Sequence, residues 1–199
     1  MARAEILFAS LEADEAALVE ARALLDARER ARADSYRFER DRRRFIVRRA
    51  TLRRLLAKRT GTAPEAVVFE ENAFGKPRLR SGPCFSTSHS GERMMVAIAD
   101  VEIGCDLERI DPAVDWRALA ASFFAPGERR ALADREAFFR CWSRKEAFVK
   151  ALGKGLSYPL DAFEVSVAPE PALISGGHGW AIAAPDAGPG YAAALVARA

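Results

Sequence analysis

Ile103-Gly104-Cys105-Asp106-Leu107-Glu108 alternates two kinds of side chain, with Ile103, Cys105 and Leu107 apolar and Asp106 and Glu108 acidic. That two-residue period predicts a β-strand that points both carboxylates to one face and Cys105 and Leu107 to the other. The strand lies midway along the 199 residues. Upstream of it, short β-type runs are expected at Val67–Glu70, Cys84–Thr87 and Met94–Ala99, and the strand itself over Val101–Glu108. Turns fall at Gly75-Lys76-Pro77 and Ser81-Gly82-Pro83. Before Pro64 the chain reads as helix. Residues 12–33 are rich in Ala, Leu, Glu and Arg, and a second helix spans Tyr36 to Thr60 with Gly61 as its stop. Downstream, a helical stretch from Trp116 breaks near Pro126-Gly127, and a longer helix runs from Asp134 to Leu152. Strands return at Phe163–Val167, Gly179–Ala183 and Tyr191–Ala197. Helices and strands come in separate groups, which predicts an α+β fold. Helix-then-strands occurs twice, so two halves are expected to meet near residue 100, although no repeat is visible residue by residue.

Composition excludes several classes. A chain half hydrophobic and 9% aromatic is neither disordered nor fibrous. No apolar run reaches the roughly 18 residues of a membrane span. Glu5 and Glu12 interrupt any signal-peptide core. Cys84, Cys105 and Cys141 are odd in number and widely spaced, matching buried thiols of a reducing compartment better than a disulfide framework or a metal-ligand set. The expectation is a cytoplasmic protein.

The net charge of +3 conceals an asymmetry, since residues 28–59 hold 14 of the 31 Lys and Arg and only 4 of the 28 acids. Such a block either forms a solvated helix face or meets an anionic partner: nucleic acid, a phosphorylated cofactor or an acidic protein. The paired carboxylates Asp106 and Glu108 repel one another unless a cation sits between them. Mg²⁺, which accepts one or two carboxylates with phosphate oxygens and water, is one solution; pairing with Arg109 or other surface bases is another. In the long helix, Phe138, Cys141, Trp142, Phe148, Val149 and Leu152 form one apolar arc, with Glu146 and Lys150 a turn apart at its edge. Those two are either an ordinary i,i+4 pair or the wall of a site at the rim of the core. Lys145 projects from within the arc, either to run along its stem to the surface or to meet a buried anion. Thr87-Ser88-His89-Ser90-Gly91 supplies hydroxyls and an imidazole suited to anions. Adjacent residues on a strand diverge, so Ser88 and His89 do not form a nucleophile–base pair.

Taken together, Gly75-Lys76-Pro77, Phe85-Ser86-Thr87-Ser88-His89-Ser90, Gly104-Cys105-Asp106-Leu107-Glu108 and Trp142-Ser143-Arg144-Lys145-Glu146-Ala147-Phe148-Val149-Lys150 resemble the 4'-phosphopantetheinyl transferases. In order, spacing and length the chain is similar to the longer, surfactin-synthetase-activating type. The basic stretch that includes Arg32, Arg44 and Arg48 is similar to that family's N-terminal half. Ser86 and Cys105 depart from the family, which often has Asn and a β-branched residue there.

The resemblance implies two similar α+β halves related by a pseudo-twofold, each a helix packed on a small antiparallel sheet. Residues 1–100 would carry the basic helices and nucleotide-binding loops, and residues 101–199 the Mg²⁺ carboxylates and the catalytic helix. It implies transfer of the phosphopantetheine arm of coenzyme A to a serine of an acyl or peptidyl carrier protein, releasing adenosine 3',5'-bisphosphate. Asp106, Glu108 and Glu146 would be the Mg²⁺ ligands, with Glu146 also the general base and Lys150 neutralising the departing phosphate. Arg32, Gly75, Lys76, Ser88, His89, Asp106 and Lys150 would hold coenzyme A. A monomer is implied, with no nucleic-acid or membrane partner. The rival readings are a coenzyme A-binding protein without catalysis, a basic nucleic-acid-binding module and an ordinary Mg²⁺-dependent phosphohydrolase.

Overall fold

The computed structural model describes residues 3–199. Its chain order is β1 (Glu5–Ser10), α1 (Glu15–Ala23), α2 (Ala27–Asp34), α3 (Glu39–Thr60), β2 (Phe69–Glu71), β3 (Pro77–Leu79), β4 (Cys84–Ser90), β5 (Arg93–Ala99) and β6 (Ile103–Arg109). It continues with α4 (Trp116–Phe123), α5 (Pro126–Ala131), α6 (Arg135–Leu152), β7 (Glu164–Val165), β8 (Leu173–Ser175), β9 (Trp180–Ala183) and β10 (Tyr191–Arg198). The α+β class is as expected. The repeat, however, is strand, three helices, two-stranded ribbon, two strands, rather than helix then strands. Its two copies give antiparallel sheets of matching order, β1-β5-β4 and β6-β10-β9, and ribbons β2-β3 and β7-β8.

Three differences from the sequence reading have physical causes. β1 was not expected. Its Ile6-Leu7-Phe8 core is short, and its partner β5 lies far along the chain, with Leu7 opposite Val96. The helix over residues 12–33 breaks at Leu24–Asp26 because Asp26 starts a new helix. Its side chain accepts from Glu29 N at 2.8 Å while Glu29 Oε2 accepts from Asp26 N at 3.0 Å, a reciprocal cap. Pro126 opens α5 instead of merely ending a helix, since proline suits a first helical turn.

The two sheets pack face to face between α3 on one side and α6 on the other. Met94, Val96 and Ile98 of β5 meet Leu52 and Leu56 of α3, while Met95, Ala97 and Ala99 meet Ile103, Cys105 and Leu107 of β6. A strand covered on both faces reads as the continuous apolar run Met94–Ala99. Ala194 and Val196 of β10 face α6. Gly104 lets α6 approach β6, because a Cβ there would overlap the Ala147 carbonyl oxygen and the Ala151 nitrogen. Among the described residues no helix is long and apolar enough to cross a membrane.

Lys145 meets a buried anion. Its Nζ lies 2.8 Å from Glu128 Oε1, both side chains being sealed from solvent, and donates to the carbonyls of Leu160 (2.7 Å) and Phe163 (2.8 Å). Glu128 also accepts from the backbone N–H groups of Ala125 and Val165. Breaking a buried pair from one side strands the other charge. Lys145→Met is therefore expected to cost about 3–5 kcal/mol, read from the midpoint of urea unfolding; an unchanged midpoint would show that Glu128 is not stranded.

Candidate active site

β4 and β6 belong to different sheets yet lie side by side where the halves meet, and serine side chains join them. Ser86 Oγ accepts from Cys105 N at 3.0 Å, Ser88 Oγ donates to Asp106 Oδ1 at 2.7 Å, and Ser90 Oγ donates to Glu108 Oε2 at 3.0 Å. The strand period puts all three serines on one face, as it puts Asp106 and Glu108 on one face. Ser86, departing from the family pattern, still satisfies a buried backbone donor. Cys105, the other departure, is fully buried in the core, and burial pushes its thiol up to about 11.

From α6, Lys150 Nζ reaches Asp106 Oδ1 at 2.6 Å and Ser88 Oγ at 3.0 Å. Of the Glu146/Lys150 edge, Lys150 thus meets partners on β6 and β4, and Glu146 lines the same cleft. Asp106, Glu108, Glu146, Lys150, Ser88 and His89 all line one cleft of about 520 Å³. Trp142 and Pro77 close its sides, and Arg48 and Arg49 of α3 form its far wall.

The electrostatics of the cleft are polarised. Burial and the neighbouring Asp106 push Glu108 up to about 7, with Glu146 adding to the repulsion; burial and Asp106 raise Glu146 as well. Burial disfavours the charged form of Lys150, but Asp106, with Cys105 and Glu146, outweighs it and raises its pKa. Asp106 Oδ2 is buried and has no hydrogen-bond partner. At the other end, burial and the cations Arg48, Lys150 and Arg44 hold His89 down to about 4. Arg48 Nη1 donates to the His89 ring, 2.8 Å from Nδ1, which a neutral imidazole accepts. The guanidinium groups of Arg32, Arg48 and Arg49 surround the Phe45 ring at 5.5, 5.6 and 6.0 Å. Burial, with the charges of Arg49 and Arg32, lowers the pKa of Arg48. One end of the cleft thus concentrates negative charge around an orphaned carboxylate oxygen, and the other concentrates positive charge.

The three carboxylates fit a hard divalent cation. Mg²⁺ commonly takes one or two carboxylates and completes its shell with phosphate oxygens and water. A buried oxygen without a donor, beside two carboxylates raised by burial and repulsion, is the chemistry such an ion would relieve. Among the described residues no three His, Cys, Asp or Glu side chains already converge as a closed cage. Instead the Lys150 ammonium occupies Asp106 Oδ1.

Three expected ligands, Arg32, Gly75 and Lys76, do not line the main cleft. Lys76 Nζ points away from the carboxylates, donating to Ile103 O (3.0 Å), Glu102 Oε2 (3.2 Å) and Ala151 O (3.4 Å). The Gly75 turn before it is held by Asn72, whose Oδ1 accepts from Phe74 N and Lys76 N, and whose Nδ2 donates to Gly153 O. This turn therefore fastens the first half to the C-terminal end of α6, and Gly75 and Lys76 line a smaller cavity of about 220 Å³ that shares Pro77, Thr87 and Lys150 with the main cleft. Arg32 is exposed at the margin of the arginine cluster, and the guanidinium groups at the cleft itself are those of Arg48 and Arg49. Much of the basic block is paired internally: Arg43 with Glu15, Arg44 with Glu12, Arg49 and Arg53 with Glu29, Arg59 with Asp100. Sequence reading gives no role to Asn72 or Arg49, and takes Ser90 only as one of the hydroxyls of the Thr87–Gly91 segment. Only Ser90 carried a usable signal, its two-residue spacing from Ser88.

The profile of the 4'-phosphopantetheinyl transferase superfamily matches residues 102–195, and that of the 4'-phosphopantetheinyl transferase N-terminal region matches residues 11–101. The 4'-phosphopantetheinyl transferase HetI of Nostoc sp. is 36% identical over 185 residues, 86% of this chain and 78% of its own. The 4'-phosphopantetheinyl transferase psf-1 of Bacillus pumilus is 37% identical over 142 residues, 67% of this chain and 60% of its own. A 4'-phosphopantetheinyl transferase of Bacillus subtilis is 33% identical over 152 residues, 72% of this chain and 66% of its own. The chain thus spans about three fifths of some curated relatives and nearly four fifths of another. With both halves matched and the carboxylates, lysine and arginine wall gathered in one cleft, the chain belongs to the 4'-phosphopantetheinyl transferase superfamily.

Proposed function

We propose that this protein transfers the 4'-phosphopantetheine arm of coenzyme A to a serine of an apo acyl or peptidyl carrier protein, with Mg²⁺, releasing adenosine 3',5'-bisphosphate. The observation that carries this reading is the polarity of the cleft: three carboxylates and an orphaned Asp106 Oδ2 at one end, Arg48 and His89 at the other. A pyrophosphate paired with a divalent cation, on a nucleotide that also bears a 3'-phosphate, has the charge distribution such a cleft would take. Residues 1–100 would contribute the anion-binding wall and residues 101–199 the carboxylates and the helix bearing Glu146 and Lys150.

In this reading Asp106, Glu108 and Glu146 hold the cation, which when bound neutralises pyrophosphate charge and polarises phosphorus. The carrier serine Oγ attacks the phosphorus that bears the pantetheine arm. The bond from that phosphorus to the bridging oxygen breaks, and the electron pair leaves with adenosine 3',5'-bisphosphate. Glu146 receives the serine proton through a water, because a carboxylate that binds a cation is a weak base for direct abstraction. Lys150, charged at neutral pH, turns from Asp106 Oδ1 to the departing phosphate oxygen. Ser88 and His89, with Arg48 and Arg32 behind them, hold the nucleotide phosphates. The protein's part is mainly orientation and charge stabilisation, as expected for displacement at phosphorus.

The test is intact mass of an apo-carrier incubated with this protein, coenzyme A and Mg²⁺, with EDTA as control. A Mg²⁺-dependent gain of one phosphopantetheine supports the reading. No gain on fatty-acid, polyketide and peptidyl carriers alike, despite coenzyme A binding, would favour a non-catalytic binding protein. Salt-sensitive binding of an oligonucleotide instead would favour the nucleic-acid module. His89→Ala is expected to raise the KM for coenzyme A more than it lowers kcat. Steady-state comparison of coenzyme A with its 3'-dephospho form checks this, and unchanged discrimination in the variant would remove His89 from the 3'-phosphate site.

A further inference from the structure

Ser90 has no part in holding the nucleotide in the reading above, yet it is the sole described hydrogen-bond partner of the Glu108 carboxylate. Its position is set by rigid backbone. Ser90 is the last residue of β4 paired to β5, opposite Arg93, and Gly91, at φ 60°, begins the two-residue hairpin loop. The loop is tied to the second half, since Tyr191 Oη of β10 donates to Glu92 Oε1 at 3.1 Å. The Ser90 hydroxyl is thus presented to β6 from a hairpin anchored on both sides.

Glu108 needs such a restraint. It has three rotatable side-chain bonds, is half-buried, and shares its face with Asp106, with Glu146 across from it. Like charges without a cation drive it away from them, toward solvent. A hydroxyl donating to Oε2 opposes that motion, because hydrogen bonds to an ionised group are shorter and stronger than neutral ones. With Oε2 held, Oε1 is left for another partner, on a strand face that also carries the orphaned Asp106 Oδ2.

We propose that Ser90 is a positioning residue that pre-orients Glu108 for the divalent cation, so that it governs metal affinity and not the chemical step. This rests on the reading of Asp106, Glu108 and Glu146 as cation ligands. Partners that orient metal ligands typically change affinity by about 10–100-fold when removed.

The experiment titrates full-length wild type, Ser90→Ala and Ser90→Thr with Mn²⁺ in the presence of coenzyme A and without carrier, following free Mn²⁺ by electron paramagnetic resonance. The same variants are then assayed for transfer across Mg²⁺ concentrations. Ser90→Ala is expected to bind Mn²⁺ about 10–100-fold more weakly. Its half-maximal Mg²⁺ concentration should rise in parallel, with kcat at saturating Mg²⁺ and KM for coenzyme A within about twofold of wild type. Ser90→Thr, which keeps the hydroxyl, should restore both. The double variant Ser90→Ala/Glu108→Gln should bind Mn²⁺ no more weakly than Glu108→Gln alone. Wild-type Mn²⁺ affinity in Ser90→Ala would overturn the proposal while leaving the carboxylate site intact. A wild-type protein that binds no Mn²⁺ with coenzyme A, and transfers equally in EDTA, would overturn the cation site itself. If Ser90→Ala does not fold, the threonine variant and the Glu108→Gln pair decide: loss of Mn²⁺ affinity in Ser90→Thr equal to that in Glu108→Gln would overturn it.

Discussion

A Gly104→Ala variant is expected to lose about 3 kcal/mol or more of stability, and to lose activity beyond what its remaining folded fraction explains. The added methyl group has nowhere to go. Its carbon would overlap the Ala147 carbonyl oxygen and the Ala151 nitrogen and lie 2.8 Å from Ala151 Cα, all backbone of α6. No side chain can rotate aside, so β6 and α6 must separate. Glu146 and Lys150 sit on the displaced helix, and Asp106 and Glu108 on the strand it leaves. A shift on the order of 1 Å between groups that must converge can cost about a hundredfold in rate. Urea unfolding measures the first effect. Carrier modification per folded molecule, with folding followed by circular dichroism, measures the second. A variant as stable and active as wild type would show that helix and strand have slack which their packing denies.

The second large effect belongs to Asp106. Asp106→Ala is expected to reduce transfer by more than about a hundredfold at saturating Mg²⁺, since even indirect partners of a metal ligand cost 10–100-fold. Two losses combine. The orphaned Oδ2, the oxygen most plainly available to a cation, disappears. Lys150 loses the anion that raises its pKa against burial, so its charged form is weakened where a departing phosphate would need it. Asp106→Asn separates the two losses from shape, because its carboxamide keeps the outline of the carboxylate and a hydrogen bond to Ser88 while removing the charge. Both variants should still fold, and Glu146→Ala should be equally impaired. Single-turnover modification of an apo-carrier is the measurement, and near-normal rates in Asp106→Ala would exclude the carboxylate from the reaction.

The parts of this site legible in the sequence are those governed by local periodicity. Asp106 and Glu108 share a face because a strand has a two-residue period, and Glu146 and Lys150 share an edge because a helix turns every 3.6 residues. Residues whose roles depend on distant partners were not legible. β1 is a strand only because β5 offers it an edge. For Lys145 a course to the surface and a buried anion both stay open until Glu128 is placed beside it. Lys76 and Gly75 form the expected turn, but whether the ammonium faces the main cleft is decided by three acceptors from Glu102, Ile103 and Ala151.

By itself, then, the sequence determined the α+β class and the two-part organisation, and supplied the residue types proposed for the site, because propensity, period and motif order act over a few residues. The tertiary structure alone decided which of the basic residues faces the cleft. Arg48 does so beside His89, and Arg49 with it, while Arg43, Arg44, Arg53 and Arg59 are paired with acids from other segments. It also decided how close the carboxylates of β6 come to the helix that bears Glu146, a distance set by the missing side chain of Gly104. Charge pairing and close packing act between segments far apart along the chain, and such distances exist only once the halves have met.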